Sequence, residues 1–598
     1  MPSFDGAANA RAAQTFMQAF HATAAGVPDR EALRTFDGSV SMTWGQVRER
    51  ADAIAGGLAK LGVGRGDTVA LMLSNRPEFH LSDLAVMTTG ATPFSIYQTL
   101  PPEGIAYVVG DAGARVAIVE RAFLDAFLKA RQDLPELEHV IVIDGDGEEG
   151  TLALSDVEGS NPRFDVAASV ARITPQDIIT LIYTSGTTGP PKGVQLSHAN
   201  LTAGVRILNK VIHVPDAARV ISWLPTAHIA ERAANYYIPL AFGATITTLD
   251  NPRNIIQALP QVKPNFFFAV PRIWEKMKAG IEAQLAKIPG EPGELARKAI
   301  QAGIQKVRLE QAGEPVPQAL ADVCARADTE LFSKLRALLG LEEASAVNTG
   351  AAPTPVDVLE FFHAIGLPLA EVWGMSETTG AGTTNPPGRV RIGTVGPPAP
   401  EIEIKLDSDG EVLIRGPIIM QGYRNLPEKT RETFTEDGWL RTGDIGQFDD
   451  HGYLKIVDRK KELLINSAGK NMSPSNIESR LKGSSSFIGQ ACAIGDARPY
   501  NTALIVLDAD FVPAWAAQNG IEDTSLEALA SHEKVIAAVA EGVEQANQQL
   551  ARVEQIKRFH IVRGDWLPGG DELTPTMKLK RKPIAQKYAR EIEEMYGA

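Results

Sequence analysis

The sequence predicts an α/β protein: a large N-terminal domain of layered sheets and helices, followed by a small α+β C-terminal domain. Three observations predict it. Apolar strand segments alternate with amphipathic helical segments through the first part of the chain, the pattern of largely parallel sheets covered by helices. A nearly all-helical stretch near 276–341 interrupts that alternation and reads as an insertion. Past Asp444 come short strands and turns, then the charged run Asp458 to Glu462, and beyond it strands and one long helix of their own.

Each element has a local reason. Trp44, Val47, Ala51, Ile54, Leu58 and Leu61 step by three and four, the stripe of a helix packed on one side. Thr68 to Leu73 reads as a strand, Leu81 to Thr89 as a helix, and Val116–Val119 and Val140–Ile143 as further strands. Within 276–341, breaks are expected at Pro289–Gly293 and from Gly313 to Pro317. In the C-terminal part, strands are expected near Ala491–Ile494 and Ala503–Leu507, and a helix with Val535, Val539, Val543, Ala546, Leu550 and Val553 on one face. The boundaries that follow are 1–457, a hinge at 458–461, and 462–598.

With 598 residues, 44% of them hydrophobic and 22% charged, the chain has ample material for several folded units and no tract of disorder-like composition. The net charge of −14 argues against a nucleic-acid scaffold, so an anionic ligand has to be met by local cations. Cys324 and Cys492 match neither a disulfide framework nor a zinc spacing. The most apolar stretch, Ile221 to Leu249, is broken by His228, Glu231 and Arg232, and the N-terminus lacks the basic-then-apolar order of a leader. A cytoplasmic protein is expected. The basic run Lys578 to Lys582 leaves peripheral membrane contact open.

The strongest chemical signal is Tyr183-Thr184-Ser185-Gly186-Thr187-Thr188-Gly189-Pro190-Pro191-Lys192-Gly193, placed after the apolar run Ile178–Ile182. Glycines let backbone N–H groups approach phosphate oxygens, the hydroxyls supply donors or a metal ligand, and Lys192 supplies a point charge. It is not a Walker A loop, which needs Lys directly after the second Gly and Ser or Thr behind it. Gly145 to Gly150 formally satisfies GxGxxG, but three acids among three glycines would repel a pyrophosphate, and it reads as a solvated turn.

The loop resembles the signature of the adenylate-forming (AMP-binding) superfamily, and other segments fall into that order. Gly350-Ala351-Ala352-Pro353 is similar to the adenine-side loop, Trp373-Gly374-Met375-Ser376-Glu377-Thr378 to the aromatic-Gly-x-Thr-Glu motif, and Trp439 to Asp444 to the ribose motif. Asp458-Arg459-Lys460-Lys461 resembles the hinge and Thr574 to Arg581 the segment holding the adenylation lysine, here Lys578. Ser376 stands where Thr is usual and Trp373 where Tyr is common. The double proline at 190–191, Leu224 to Arg232, Ala269 to Trp274, and Ala468-Gly469-Lys470-Asn471 look like the long-chain fatty acyl-CoA synthetase branch.

The resemblance implies ATP, Mg2+ and coenzyme A as the small-molecule requirements, and a C-terminal domain that rotates about the hinge, with Lys461 the pivot. It implies Glu377 and Thr184 as oxygen ligands for Mg2+ and Trp373 as a platform for adenine. Asp444 is implied for the ribose hydroxyls, Arg459 for ribose or α-phosphate, and Lys578 for the α-phosphorus. Gly469-Lys470-Asn471 is assigned to the thiol channel. His228 is placed near the acyl entrance and α-phosphate, with a hydrogen-bonded structural histidine as the alternative. The activity implied is ligation of a fatty acid to coenzyme A through an acyl adenylate. The alternatives are an acyl-AMP ligase loading a carrier protein, and a non-catalytic acyl or nucleotide binding module.

Overall fold

The computed structural model describes residues 4–147, 150–184, 190–467 and 470–597. Alternation of strand and helix does produce parallel sheets. A five-stranded sheet orders Thr92–Ser95, Thr68–Met72, Val116–Val119, His139–Val142 and Leu152–Ala153, all parallel. Its central strands, Thr68–Met72 and Val116–Val119, are buried along their whole length, as continuous apolar runs covered on both faces must be. The stripe that begins at Trp44 forms the helix Trp44–Lys60, opened by a capping box in which Thr43 and Gln46 satisfy each other's backbone N–H.

A second sheet orders Arg219–Ser222, Thr245–Thr248, Glu31–Thr35 and Ser41–Thr43, and a third Phe266–Ala269, Ala346–Thr349, Ala370–Trp373 and Thr383–Thr384. The apolar stretch from Ile221 to Leu249 is a buried strand, a π-helical turn Glu231–Tyr237, a short helix Ile238–Phe242 and a second strand. Among the described residues, no helix is long and apolar enough to cross a membrane. The stretch 276–341 is helical, carried by Pro271–Ala286, Gly290–Ala312, Gln318–Ala327 and Ser333–Leu338. The break expected at Pro289–Gly293 is narrower than its composition suggests, because Gly290 opens a helix in which Pro292 sits within the first turn, where its missing N–H costs nothing.

The four-stranded antiparallel sheet Glu403–Leu406, Glu411–Arg415, Leu440–Phe448, Leu454–Arg459 ends the first part of the chain. Beyond it, Ile488–Ile494, Asn501–Leu507 and Ile556–Ile561 form a three-stranded sheet packed against Pro474–Ser484 and Glu533–Asn547. The helix Glu533–Asn547 stops short of Val553; Leu550 is still buried, whereas Val553 is exposed. Every apolar cluster of the core lies wholly before Arg459 or wholly after Glu462 among the described residues.

Candidate active site

The phosphate-loop sequence is bracketed by two ladder partners. Ile178–Thr184 and Lys192–Ser197 are antiparallel, with Thr184 opposite Lys192. A strand therefore leads into the loop and a strand, not a helix, leads out, which separates this hairpin from the strand–loop–helix of a P-loop. Ser185, Gly186, Thr187, Thr188 and Gly189 lie outside the described residues, as does Gly469. Thr184 Oγ1 donates to the Lys192 carbonyl at 3.5 Å, a long bond that leaves its oxygen lone pairs available. The Lys192 ammonium sits 4.3 Å from the centre of the Tyr423 ring. Burial holds it below the ordinary lysine value, Lys429, Lys461 and Arg459 add to that, and Glu377 opposes it.

Tyr423 was not visible in the sequence as a site residue. The short strand Gly422–Tyr423 pairs with Val194 and Gln195, and that pairing brings the phenol against Glu377, to which it donates at 2.7 Å. Glu377 is buried on the single turn Ser376–Thr378. Its donor set suits a hard divalent cation: one carboxylate oxygen is held by Tyr423, the other has no bond among the described residues, and the Thr184 hydroxyl belongs to the loop beside Lys192.

The turn that carries Glu377 is shaped by a close approach. A Cβ at Gly374 would lie 2.2 Å from the Gly380 carbonyl, so only glycine fits, and Met375 N–H is then free to bond Thr378 Oγ1 at 3.0 Å. Gly350 is constrained in the same way, with a Cβ position 2.9 Å from the Val372 carbonyl. Ala351, at φ 68°, turns the chain outward so that Ala351 and Ala352 are exposed. The Trp373 indole N–H donates to Asp444 Oδ2 at 2.7 Å, and Arg459 Nε pairs with Asp444 Oδ1 at the same distance. Trp373 thus orients Asp444, and 8% of its surface remains open. Burial pushes the Asp444 carboxyl up, against the opposing pull of Arg459, the indole and Lys578.

Lys578 arrives from the far end of the chain on a tight turn. Its N–H bonds Thr574 Oγ1 at 3.0 Å, Thr574 N–H bonds its carbonyl at 2.8 Å, and Met577 between them takes φ 64°. The side chain is open to water inside the cleft yet closely surrounded by protein. That crowding holds its ammonium below the ordinary lysine value, with Arg459 adding to the depression and Asp444, Glu462 and Glu377 opposing it. On the opposite wall, Ala230 N–H donates to His228 Nδ1 at 3.1 Å, so the neutral ring carries its proton on Nε2. Burial and the charge of Lys578 lower His228 to about 4, so it stays neutral at physiological pH.

Thr184, Lys192, His228, Glu377, Asp444, Arg459 and Lys578 are therefore linked by direct bonds or by charges felt from one to the next, as one candidate cleft requires. Lys461 is exposed, with its charge felt at Lys192. Lys470 is exposed on the turn joining Leu464–Ile465 to Asn471–Met472, and no hydrogen bond or ion pair ties it to the cluster among the described residues. Asp458, read only as hinge, is buried and accepts from Ser473 Oγ at 2.6 Å, Ser475 N–H at 3.1 Å and Ser475 Oγ at 3.0 Å.

Comparison with known proteins matches residues 20–424 to the model of the AMP-binding enzyme family and residues 461–598 to that of the AMP-binding enzyme C-terminal domain. The chain is 48% identical over 455 residues to the fadD11 protein of Mycobacterium tuberculosis, covering 75% of this chain and 79% of that one. It is 34% identical over 574 residues to the long-chain-fatty-acid–CoA ligase FadD15 of the same organism, covering 94% of each. Among solved structures, the anthranilate CoA ligase AuaEII in complex with anthranoyl-AMP shares the fold, with TM-score 0.72, 23% identity, and coverage of 96% of this chain and 97% of that one. From the phosphate hairpin to the Lys578 turn, this chain belongs to the AMP-binding enzyme family.

Proposed function

We propose that the protein is an ATP-dependent long-chain fatty acid–CoA ligase, converting acid and ATP to an acyl adenylate and pyrophosphate, then passing the acyl group to coenzyme A with release of AMP. The observation that carries the reading is the meeting of Lys578 with Asp444, Glu377 and His228 in one cleft: a binding module has no use for a cation delivered from the far end of the chain to that point. The curated relative at 34% identity over nearly the whole chain is named for this activity, as is the long-chain-fatty-acid–CoA ligase ACSBG2 of Xenopus laevis, 30% identical over 621 residues.

The substrate carboxylate is itself the nucleophile, so no Ser/His/Asp triad is required; the protein supplies placement and charge. Lys192 neutralises the polyphosphate. Asp444, aimed by Trp373 and Arg459, accepts the ribose hydroxyls, and the loop at Gly350, Ala351 and Ala352 lies along the base. Gly374, Met375 and Ser376 shape the turn that presents Glu377. Lys578 stabilises charge on the pentavalent α-phosphorus, and the Nε2–H of His228 donates to an oxygen of the α-phosphate or the acid. Glu377 and Thr184 would hold Mg2+, which supplies charge compensation at the leaving pyrophosphate. Boundaries at 1–457, 458–461 and 462–598 go with a second arrangement, in which the C-terminal domain turns about Lys461, withdraws Lys578, and brings the 469–471 loop to the thiol.

The test is AMP release from ATP and Mg2+ with a panel of medium- to long-chain acids, with and without coenzyme A. Release that needs both acid and coenzyme A supports the ligase. Pyrophosphate exchange without coenzyme A-dependent turnover points to a carrier-protein acceptor, and silence with every acid removes the enzyme reading.

A further inference from the structure

His228 has no strand or helix of its own to hold it. It lies in the irregular segment 223–228, between the strand Arg219–Ser222 and the π-helical turn Glu231–Tyr237. That segment is gripped by two consecutive charged residues, both 0% exposed. Glu231 Oε2 accepts the backbone N–H groups of Leu224 at 3.1 Å and Trp223 at 3.4 Å, and is itself held by Asn235 at 2.7 Å. Arg232 Nε donates to the Thr226 carbonyl at 3.2 Å. One side chain therefore fixes the beginning of the segment and the other its middle, while His228 at the end bonds the Pro225 carbonyl through its backbone N–H at 2.8 Å, accepts from Arg232 N–H at 3.3 Å and takes the Ala230 bond on its ring.

Both grips are anchored elsewhere in the core. The other terminal nitrogens of Arg232 reach Asp83 at 2.6 Å, Ser95 at 3.0 Å and the Tyr237 hydroxyl at 3.0 Å. Asn75, from the end of the neighbouring sheet, donates to Ser222 Oγ, to the Leu224 carbonyl at 2.9 Å and to Glu231 Oε1 at 3.3 Å. Burial lifts the Glu231 carboxyl to about 7, against the pull of its donors. Two ionisable groups in a dry core are a poor way to gain stability, since hydrophobic residues of the same volume serve as well or better. What they do provide is a fixed geometry for a segment whose backbone has no ladder to follow.

We propose that Glu231 and Arg232 are positioning residues for adenylate formation, holding segment 223–228 so that the His228 imidazole keeps a fixed position with Nε2–H as its free donor. This rests on the ligase reading above. The two residues touch no substrate; they act through His228.

The experiment is ATP–pyrophosphate exchange with palmitate on the full chain, comparing wild type, Glu231→Gln, His228→Ala and the double variant. Wild type silent in exchange removes the ligase reading, and the proposal with it. With wild type active, Glu231→Gln is expected to lower kcat about 10-fold with both KM values within about 2-fold, and to add less than about 2-fold to His228→Ala, because the effect passes through the missing imidazole. Thioester formation from synthetic palmitoyl adenylate is expected to be unchanged. Arg232→Lys, which keeps a charge for Asp83 but loses the guanidinium fork, is expected to behave alike. An equal loss in the presence and absence of His228, or a parallel loss in the thioester step, overturns the proposal. Should melting show that Glu231→Gln does not fold, Asn75→Ala enters the same cycle and the same outcomes decide.

Discussion

The two walls of the cleft are built in opposite ways. The His228 wall is held from below by buried charges with several bonds each, all within one part of the chain. The Lys578 wall is a turn held by its own Thr574, on a unit whose apolar cores are separate from those of the first 458 residues. The bonds across the joint include Arg272 with Asp508, Lys276 with Asp510 at 2.7 Å, and those of Asp458 to Ser473 and Ser475. The difference is that one wall is fixed by buried bonds within the first part of the chain, while the other is carried by a unit with a core of its own, as the proposed delivery of Lys578 requires. Partly exposed ion pairs contribute little, whereas breaking a dry ion pair is costly.

The contrast breaks most visibly at Lys578. Lys578→Ala is expected to slow adenylate formation about 10²–10³-fold, or roughly 3–4 kcal/mol, as for loss of one preorganised donor. Thioester formation from a synthetic adenylate is expected to stay near wild type; an equal loss in both steps, measured by single turnover, would make the lysine part of the fixed wall. Tyr423→Phe removes the donor to the buried Glu377 carboxylate, worth about 1.5–3 kcal/mol for a bond to a charged group. Exchange assays across a Mg2+ titration are expected to show a higher Mg2+ requirement, and an unshifted titration would detach Glu377 from the cation.

A third prediction concerns pH and the first part of the chain alone. Burial raises the Glu371 carboxyl from 4.5 to about 7. Between those values the folded chain holds a proton that the unfolded chain has lost, so the associated stability is full below 4.5 and is lost as pH rises through 7. Glu371→Gln keeps an acceptor for Thr354 N–H and removes the titration. Chemical denaturation at pH 5.5 and 8.5 is expected to show the variant gaining up to about 2 kcal/mol on wild type at the higher pH; parallel pH profiles would refute it. The smallest effect belongs to the joint. Arg272→Ala with Lys276→Ala is expected to cost about 0.2–1 kcal/mol per pair in adenylate formation and to flatten its salt dependence, with the thioester step no slower.

What the sequence disclosed was local. The stripe from Trp44 and the apolar runs at Thr68 and Val116 announce their elements because periodicity is a property of neighbours in the chain. The phosphate hairpin, Glu377, Asp444, Arg459 and Lys578 were legible because each sits in a short motif whose order along the chain is itself informative. Tyr423 was not, and Glu231 was marked only as part of the Leu224 to Arg232 resemblance, without a role. Tyr423 reaches Glu377 only through antiparallel pairing with a strand more than two hundred positions earlier, and a Tyr after a Gly carries no local mark. Glu231 reads as the acid that interrupts an apolar run, and its work appears only once the backbone N–H groups it holds are seen. The assignment of Trp373 to adenine overlooked its bond to Asp444, since indole N–H and carboxylate lie far apart in the chain and meet across two sheets.

The placement of Asp458 gives the joint a mechanical character. The strand Leu454–Arg459 is tied to the first part of the chain, and Lys460 N–H continues that tie to the Gly443 carbonyl at 2.8 Å. The Asp458 carboxylate nevertheless grasps the first turn of Pro474–Ser484, on the other side. The rotation proposed above, if it pivots after Lys460, would have to pull that helix off the carboxylate and let water take over three bonds at once. On the proposed rotation, the joint would be a swivel with a notch, held in the orientation seen here by the Asp458 carboxylate.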